Sequence, residues 1–263
     1  MPNPFDSQVS GTSTSHKITL GQPCSAGSSG RTSLSNEDSS RRRFLQMTMG
    51  GTLAGMAAAA GMEFAAPRPL LAQTTLTPDA ALQELMDGNR RFMSGRLSAC
   101  EHDLAILKQN TAEKQEPFAA ILSCADSRVP VELVFDQSIG HLFVNRVAGN
   151  IVTPEIIASL EYGAAVLGTK VILVLGHANC GAVKATIQGK EVPGQISVLY
   201  QHIRPAVDQA GPNLEAATKA NAKIQAALLR EASTVISSSV KDGKLKVLAA
   251  YYDVASGEVT LLE

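Results

Sequence analysis

The sequence predicts a single α/β domain built on a central, mostly parallel β-sheet flanked by helices. Three observations carry that prediction. Short, near-continuous apolar runs occupy 118–123, 142–147 and 171–175. Stretches with helical spacing of apolar residues lie between and after them. The runs do not alternate apolar with polar, as half-exposed strands would, so the sheet they form is covered on both faces.

The elements follow in order. Thr77, Pro78 and Asp79 open a helix, with proline in the first turn, where its missing N–H costs nothing, and Leu82, Leu85, Met86 and Phe92 form its apolar stripe. Residues 118–123 read as a buried strand and 142–147 as a second, followed by a helix over 154–167. Val171, Ile172, Leu173, Val174 and Leu175 form the third and clearest strand. The Ala-, Leu-, Lys- and Gln-rich stretch 212–237 predicts one long helix. Residues 245–252 and 259–262 flank Ser256-Gly257 and predict a hairpin.

The front of the chain has a different composition. Residues 1–40 hold eleven Ser, four Thr and four Gly without apolar periodicity, too little apolar surface to offset the entropy of ordering. Arg41, Arg42 and Arg43 then precede Phe44-Leu45 and a moderately apolar run over 47–66 whose one charge is Glu63. Basic residues before such a run have the layout of an export signal, and consecutive arginines before Phe-Leu resemble the bacterial twin-arginine pattern. Twenty residues could instead span a bilayer, but Gly50, Gly51, Gly55 and Gly61 make this run a weak anchor. The expected organisation is therefore a removable segment, 1–72, cleaved near Ala72, and a catalytic domain, 73–263. The expected location is periplasmic or otherwise exported, and the membrane is met only in transit.

Charge narrows the function classes. The chain has 263 residues with 23 basic and 24 acidic groups, a balance that argues against a nucleic-acid binder. Residues 73–263 keep 17 basic and 20 acidic groups, a net −3 ordinary for a soluble protein. Four cysteines are too few for a disulfide scaffold of this length.

Two strand ends carry the chemistry. The first strand runs into Cys124-Ala125-Asp126-Ser127-Arg128, and the third into Gly176-His177-Ala178-Asn179-Cys180-Gly181. In parallel sheets ligands bind beyond the carboxyl ends of strands, so both motifs reach one edge. Cys124, His177 and Cys180 make a Cys₂His set that suits Zn²⁺ with one place left for water, as in catalytic zinc sites. A Cys124 nucleophile activated by His177 is an alternative, but it leaves Cys180, Asp126 and Arg128 without roles. A closed structural zinc would need a fourth ligand from Cys100, His102, His141 or His202, none of which stands at ligand spacing to the others.

These motifs, with 52 residues between Cys124 and His177, closely resemble the β-class carbonic anhydrases. The resemblance extends to Gly88-Asn89-Arg90-Arg91-Phe92, to Phe143 through Asn150, and to Glu161-Tyr162. It implies zinc-dependent, reversible hydration of CO₂ to bicarbonate and a proton, with Cys124, His177 and Cys180 as ligands, one Zn²⁺ per subunit and zinc-bound hydroxide as nucleophile. It implies that Asp126 accepts a hydrogen bond from that hydroxide while Arg128 holds the carboxylate. Gln115, Phe143, Gly149 and Tyr162 fall on positions that line the CO₂ pocket in plant-like relatives. Those matching Gln115 and Phe143 come there from the neighbouring subunit, so a homodimer or higher homo-oligomer is implied. For Phe143 and Tyr162 core packing is the competing reading. One branch of the family builds a bicarbonate effector site partly on a Trp three residues before the first Cys. Here that position is Ile121 and the chain has no Trp, which favours the branch with an open water site. Hydrolysis of CS₂ or COS on the same fold, and a silent zinc- or inorganic-carbon-binding module, are the competing functions. Retention of Asp126, Arg128 and Gln115 argues against the second of these.

Overall fold

The computed structural model describes residues 74–99 and 115–263. The export segment and its cleavage position lie outside these residues, as do Cys100 and His102.

Five strands form one sheet in the order β2-β1-β3-β4-β5. These are β1 (Ala119–Ser123), β2 (Leu142–Arg146), β3 (Val171–His177), β4 (Lys246–Tyr252) and β5 (Val259–Leu262). The first four are parallel and β5 closes antiparallel on β4. Every residue of β1 and β3 is buried, which explains their unbroken apolar character. Seven helices are described: α1 (Pro78–Met93), α2 (Val131–Val134), α3 (Pro154–Ala165), α4 (Gly181–Gln188), α5 (Val198–Ala210), α6 (Leu214–Ala232) and α7 (Thr234–Lys241). One apolar cluster joins α1 and α2 to one face of the sheet, through Leu85, Val134, Ile121 and Leu173. A second joins α3, α6 and α7 to the opposite face, through Leu160, Leu229, Ile236 and Ile172. Full burial of each such side chain stabilises the fold by about 1.5–3 kcal/mol. None of the described helices is long and apolar enough to cross a membrane.

The predicted parallel sheet and hairpin are present, while three local expectations are corrected. The helix expected over 212–237 is two helices. Ser233 between them is extended (φ −111°, ψ 117°), accepts from the Ile236 amide at 3.0 Å and donates to Glu161 at 2.6 Å. The cap of α7 and a tie to α3 thus use one hydroxyl, and helical propensity yields to both. The third strand runs two residues further than expected, so His177 is its last residue rather than a loop residue. The helix expected over 154–167 ends at Ala165, ahead of Gly168 at φ +76°.

The Gly88–Phe92 motif is explained by contacts. A Cβ on Gly88 would lie 1.8 Å from the Phe135 carbonyl oxygen, so only glycine lets α1 approach there. The buried Asn89 side chain donates to the Val134 and Gly257 carbonyls and accepts from the Val259 amide, joining α1 to α2 and the hairpin. Arg91 donates at 2.5 Å to the buried carboxylate of Asp136, which also accepts from Ser98 and the Ala99 amide. Burial pushes the Asp136 carboxyl up, but these donors outweigh it and hold it below the usual carboxylate range. The sign follows: its stabilisation is present above the ordinary carboxylate pKa and is lost as pH falls through the depressed value.

Candidate metal centre

β1 and β3 are neighbours, with Ser123 paired to Leu175, so their carboxyl ends open on the same edge. Cys124 is the first residue beyond β1, and His177 is the last of β3. Asn179 then adopts a left-handed conformation (φ +56°), which turns the chain back and delivers Cys180 to the start of α4. The two Sγ atoms and one ring nitrogen lie within 4.8 Å of one another, and all three residues are buried. No other group of three such residues gathers among the described residues.

The protonation states follow from the neighbours. His177 Nδ1 lies 3.0 Å from the Ala178 carbonyl, which can only accept, so Nδ1 carries a hydrogen and Nε2 is the ring nitrogen left to hold a metal. That Nε2 is buried and makes no hydrogen bond. A hydrogen bond from Cys180 lowers the Cys124 thiol to about 4 against the opposing pull of burial, with His177 and the Gly149 amide adding to the effect. Cys180, as the donor of that pair and itself buried, is pushed up. Two sulfurs sharing a proton beside an unpartnered nitrogen fit a cation that replaces the proton.

Asp126 and Arg128 are paired as expected. Arg128 Nε and Nη2 donate to the two carboxylate oxygens at 2.9 and 2.7 Å, and the Arg128 amide adds a third bond at 2.9 Å. The Arg128 side chain is the main reason that the Asp126 carboxyl is held well below the usual carboxylate range. Asp126 Oδ2 stands 3.9 Å from His177 Nε2, which places the carboxylate edge against the ligand set. Arg128 also donates to the Asn179 carbonyl at 3.2 Å, tying the two ligand loops together.

Gly149 stands beside Cys124. Its N–H donates to Cys124 Sγ at 3.3 Å, and a Cβ there would come within 2.7 Å of Ile203. The other expected pocket residues are not gathered around the sulfurs. Phe143 and Tyr162 pair with ring centroids 6.2 Å apart. Phe143 packs in the cluster of α3 and α6, not in the one containing Cys124 and Cys180. Gln115 is exposed just ahead of β1.

The geometry gives a role to Arg146, which the resemblance matches only to an arginine that several branches of the family carry. Arg146 donates to the Cys124 carbonyl at 3.0 Å and to the Asp126 carbonyl at 2.6 Å, fixing the backbone between ligand and carboxylate. Its place in the motif from Phe143 through Asn150 was the signal for it.

The sequence profile described as carbonic anhydrase matches residues 119–259. A carbonic anhydrase of Mycolicibacterium smegmatis is 32% identical over 192 residues, covering 70% of this chain and 93% of that protein. Carbonic anhydrase 2 of Mycobacterium tuberculosis is 31% identical over 196 residues, covering 70% and 92%. Among solved structures, a Coccomyxa β-carbonic anhydrase in complex with acetazolamide is similar at a TM-score of 0.53 and 26% identity, covering 69% of this chain and 86% of that one. The fold is shared with a β-carbonic anhydrase of Aspergillus fumigatus at a TM-score of 0.58 and 22% identity, covering 69% and 90%. With its parallel sheet and its Cys-His-Cys cluster at one edge, the chain belongs to the β-class carbonic anhydrases. It is accordingly an enzyme, with carbonate dehydratase activity.

Proposed function

We propose that the chain hydrates CO₂ reversibly at one Zn²⁺ per subunit, held by Cys124 Sγ, His177 Nε2 and Cys180 Sγ. The observation that carries this reading is the Cys-His-Cys set with an ionised, arginine-held carboxylate 3.9 Å from its ring nitrogen. Zinc, when bound, supplies Lewis acidity that makes water a nucleophile near neutral pH, less strongly beside two thiolates than beside neutral imidazoles. The residues do the rest. Asp126 accepts a hydrogen bond from the attacking water and so points an oxygen lone pair at the CO₂ carbon. Both of its oxygens are anchored by Arg128, which keeps the carboxylate from rotating away. Arg146 holds the backbone on which Cys124 and Asp126 stand. One oxygen–carbon bond forms, bicarbonate leaves, and the proton passes to solvent or buffer.

We propose further that the active unit is a homo-oligomer in which Gln115 and Phe143 serve the neighbouring subunit's pocket. Their placement away from this chain's own sulfurs supports that assignment. The experiment is stopped-flow hydration of CO₂ by the zinc-loaded full chain from about pH 6 to 9, with COS and CS₂ as alternative substrates. The mass in solution is measured on the same sample. The expected result is CO₂ hydration that climbs with pH, an assembly of at least two subunits, and turnover of the sulfur analogues far below that of CO₂. Preferred turnover of COS or CS₂, a flat pH profile, or an active monomer would contradict the reading.

On the sequence signal we also propose export, with residues 1–72 removed. Replacing Arg41, Arg42 and Arg43 together by lysine should hold the precursor inside the cell. Mature protein still reaching the periplasm would contradict this.

A further inference from the structure

Two buried amides on α6, Asn221 and Gln225, are not used by the proposed chemistry. They stand one turn apart, are 0% and 1% exposed, and are fully hydrogen-bonded. Asn221 Nδ2 donates to the Gly149 carbonyl at 2.9 Å, and Asn221 Oδ1 accepts from Gln225 Nε2 at 3.2 Å. Gln225 Oε1 accepts from the Val152 amide at 2.8 Å, and Gln225 Nε2 donates to the His202 carbonyl on α5 at 3.0 Å. The pair therefore grips the 149–152 loop at both ends.

That loop needs gripping. Gly149 and Asn150 are consecutive left-handed residues (φ +78° and +42°), which glycine adopts freely but Asn150 holds at a conformational cost that the surroundings must offset. Asn150 supplies no anchor through its side chain, whose amide is buried without a hydrogen-bond partner. Gly149 faces two ways: its carbonyl meets Asn221 and its N–H meets the Cys124 sulfur. Ile203 and Ala182 crowd the third direction. The Asn150 amide bonds back to the Val147 carbonyl at 2.9 Å and closes the turn, but apart from Cys124 itself only the Asn221 side chain, among those described, bonds to Gly149, so its loss would let the amide move off the sulfur.

We propose that Asn221 and Gln225 are positioning residues that clamp Gly149 so that its amide stays on Cys124 Sγ and sets the direction and donor strength of that ligand. The proposal rests on the zinc assignment above. Partners behind a ligand are known to orient it and tune the metal it holds.

The test compares Asn221→Leu, which keeps the branched shape of the side chain and removes its donor and acceptor, with Asn213→Ala. Asn213 caps the same helix, accepting from the Ala216 amide, and touches neither the loop nor the sulfurs. Three readouts are taken: Zn²⁺ affinity by competition with a chromophoric chelator, the sulfur-to-metal absorption bands of the Co²⁺-loaded chain, and exchange of the Gly149 amide in metal-free protein. Asn221→Leu is expected to weaken metal binding about tenfold or more, shift the Co²⁺ bands and speed Gly149 exchange. Asn213→Ala is expected to lower thermal stability without these changes. Should Asn221→Leu not fold, Gln225→Met removes the bonds to Val152, His202 and Asn221 Oδ1 but leaves the Asn221 bond to Gly149, and should move the same readouts less far. Native affinity, bands and exchange in the folded variant would overturn the clamp. Failure of the native chain to bind metal would instead overturn the zinc assignment and the clamp together.

Discussion

Cys180→Ala is expected to reduce CO₂ hydration to the uncatalysed background and to leave the chain unable to retain zinc. The substitution removes one of three donor atoms that lie within 4.8 Å of one another, and a two-ligand site loses both affinity and geometry. It should not cost the fold its sheet. The sulfur belongs to a small cluster with Val183, Ile203 and Ala217, separate from the two that cover the sheet faces. The Cys124 thiol also loses the hydrogen bond that most lowers it, so its pKa should rise in the variant. Stopped-flow hydration together with circular dichroism reads both halves of this result. Undiminished turnover would remove Cys180 from the site.

Asp126→Asn is expected to keep zinc and lose most turnover, roughly 10–100-fold or more, because an amide nitrogen cannot accept the water's hydrogen and turns a donor toward Arg128. The native carboxylate is held well below its usual range by Arg128, so it stays ionised through the working pH range. The alkaline rise in activity therefore cannot be its own titration. Removing its negative charge should shift that rise to lower pH while depressing its height. The pH profile of the variant, with metal content measured in parallel, checks both points. A variant with native rate would show that the carboxylate is not the acceptor.

The parts of the fold legible in the sequence are those where one physical demand acts alone. β1 and β3 are buried on both sides, so apolar residues fill them without interruption and nothing competes with that signal. The ligands were legible for a related reason. Cys124 just beyond β1 and His177 at the end of β3 fall on one sheet edge whatever the intervening helices do. The helices were harder. α4 begins at Cys180 without a side-chain cap, because that residue serves the site instead of the helix. α5 carries Pro205 in its interior, which reads as a break in sequence. The division between α6 and α7 depends on the contact of Ser233 with Glu161, 72 positions away, and no local pattern encodes it.

The support around the site was the least legible part. Asn221 and Gln225 lie one turn apart on an Ala-rich helix that also carries charged residues, where an amide reads as solvent-facing surface. Their burial follows from packing against the 149–152 loop, which itself exists only because Gly149 tolerates close approach by Ile203. Arg146 likewise acts on backbone carbonyls, and a carbonyl leaves no trace in sequence. The resemblance put Phe143 and Tyr162 on pocket-lining positions, and the structure brings the two rings together. Within one chain they line the space beside α3 rather than the sulfurs.

The central claim is that Cys124, His177 and Cys180 together hold a catalytic zinc. Its most direct test is zinc-edge X-ray absorption on the native full chain, with zinc stoichiometry measured on the same sample and on Cys180→Ala. The account predicts one zinc per native subunit with two sulfur neighbours at about 2.3 Å and two nitrogen or oxygen neighbours at about 2.0–2.1 Å, and no retained zinc in the variant. A native chain without zinc, a shell of four sulfurs or of none, or full zinc occupancy in Cys180→Ala would contradict it.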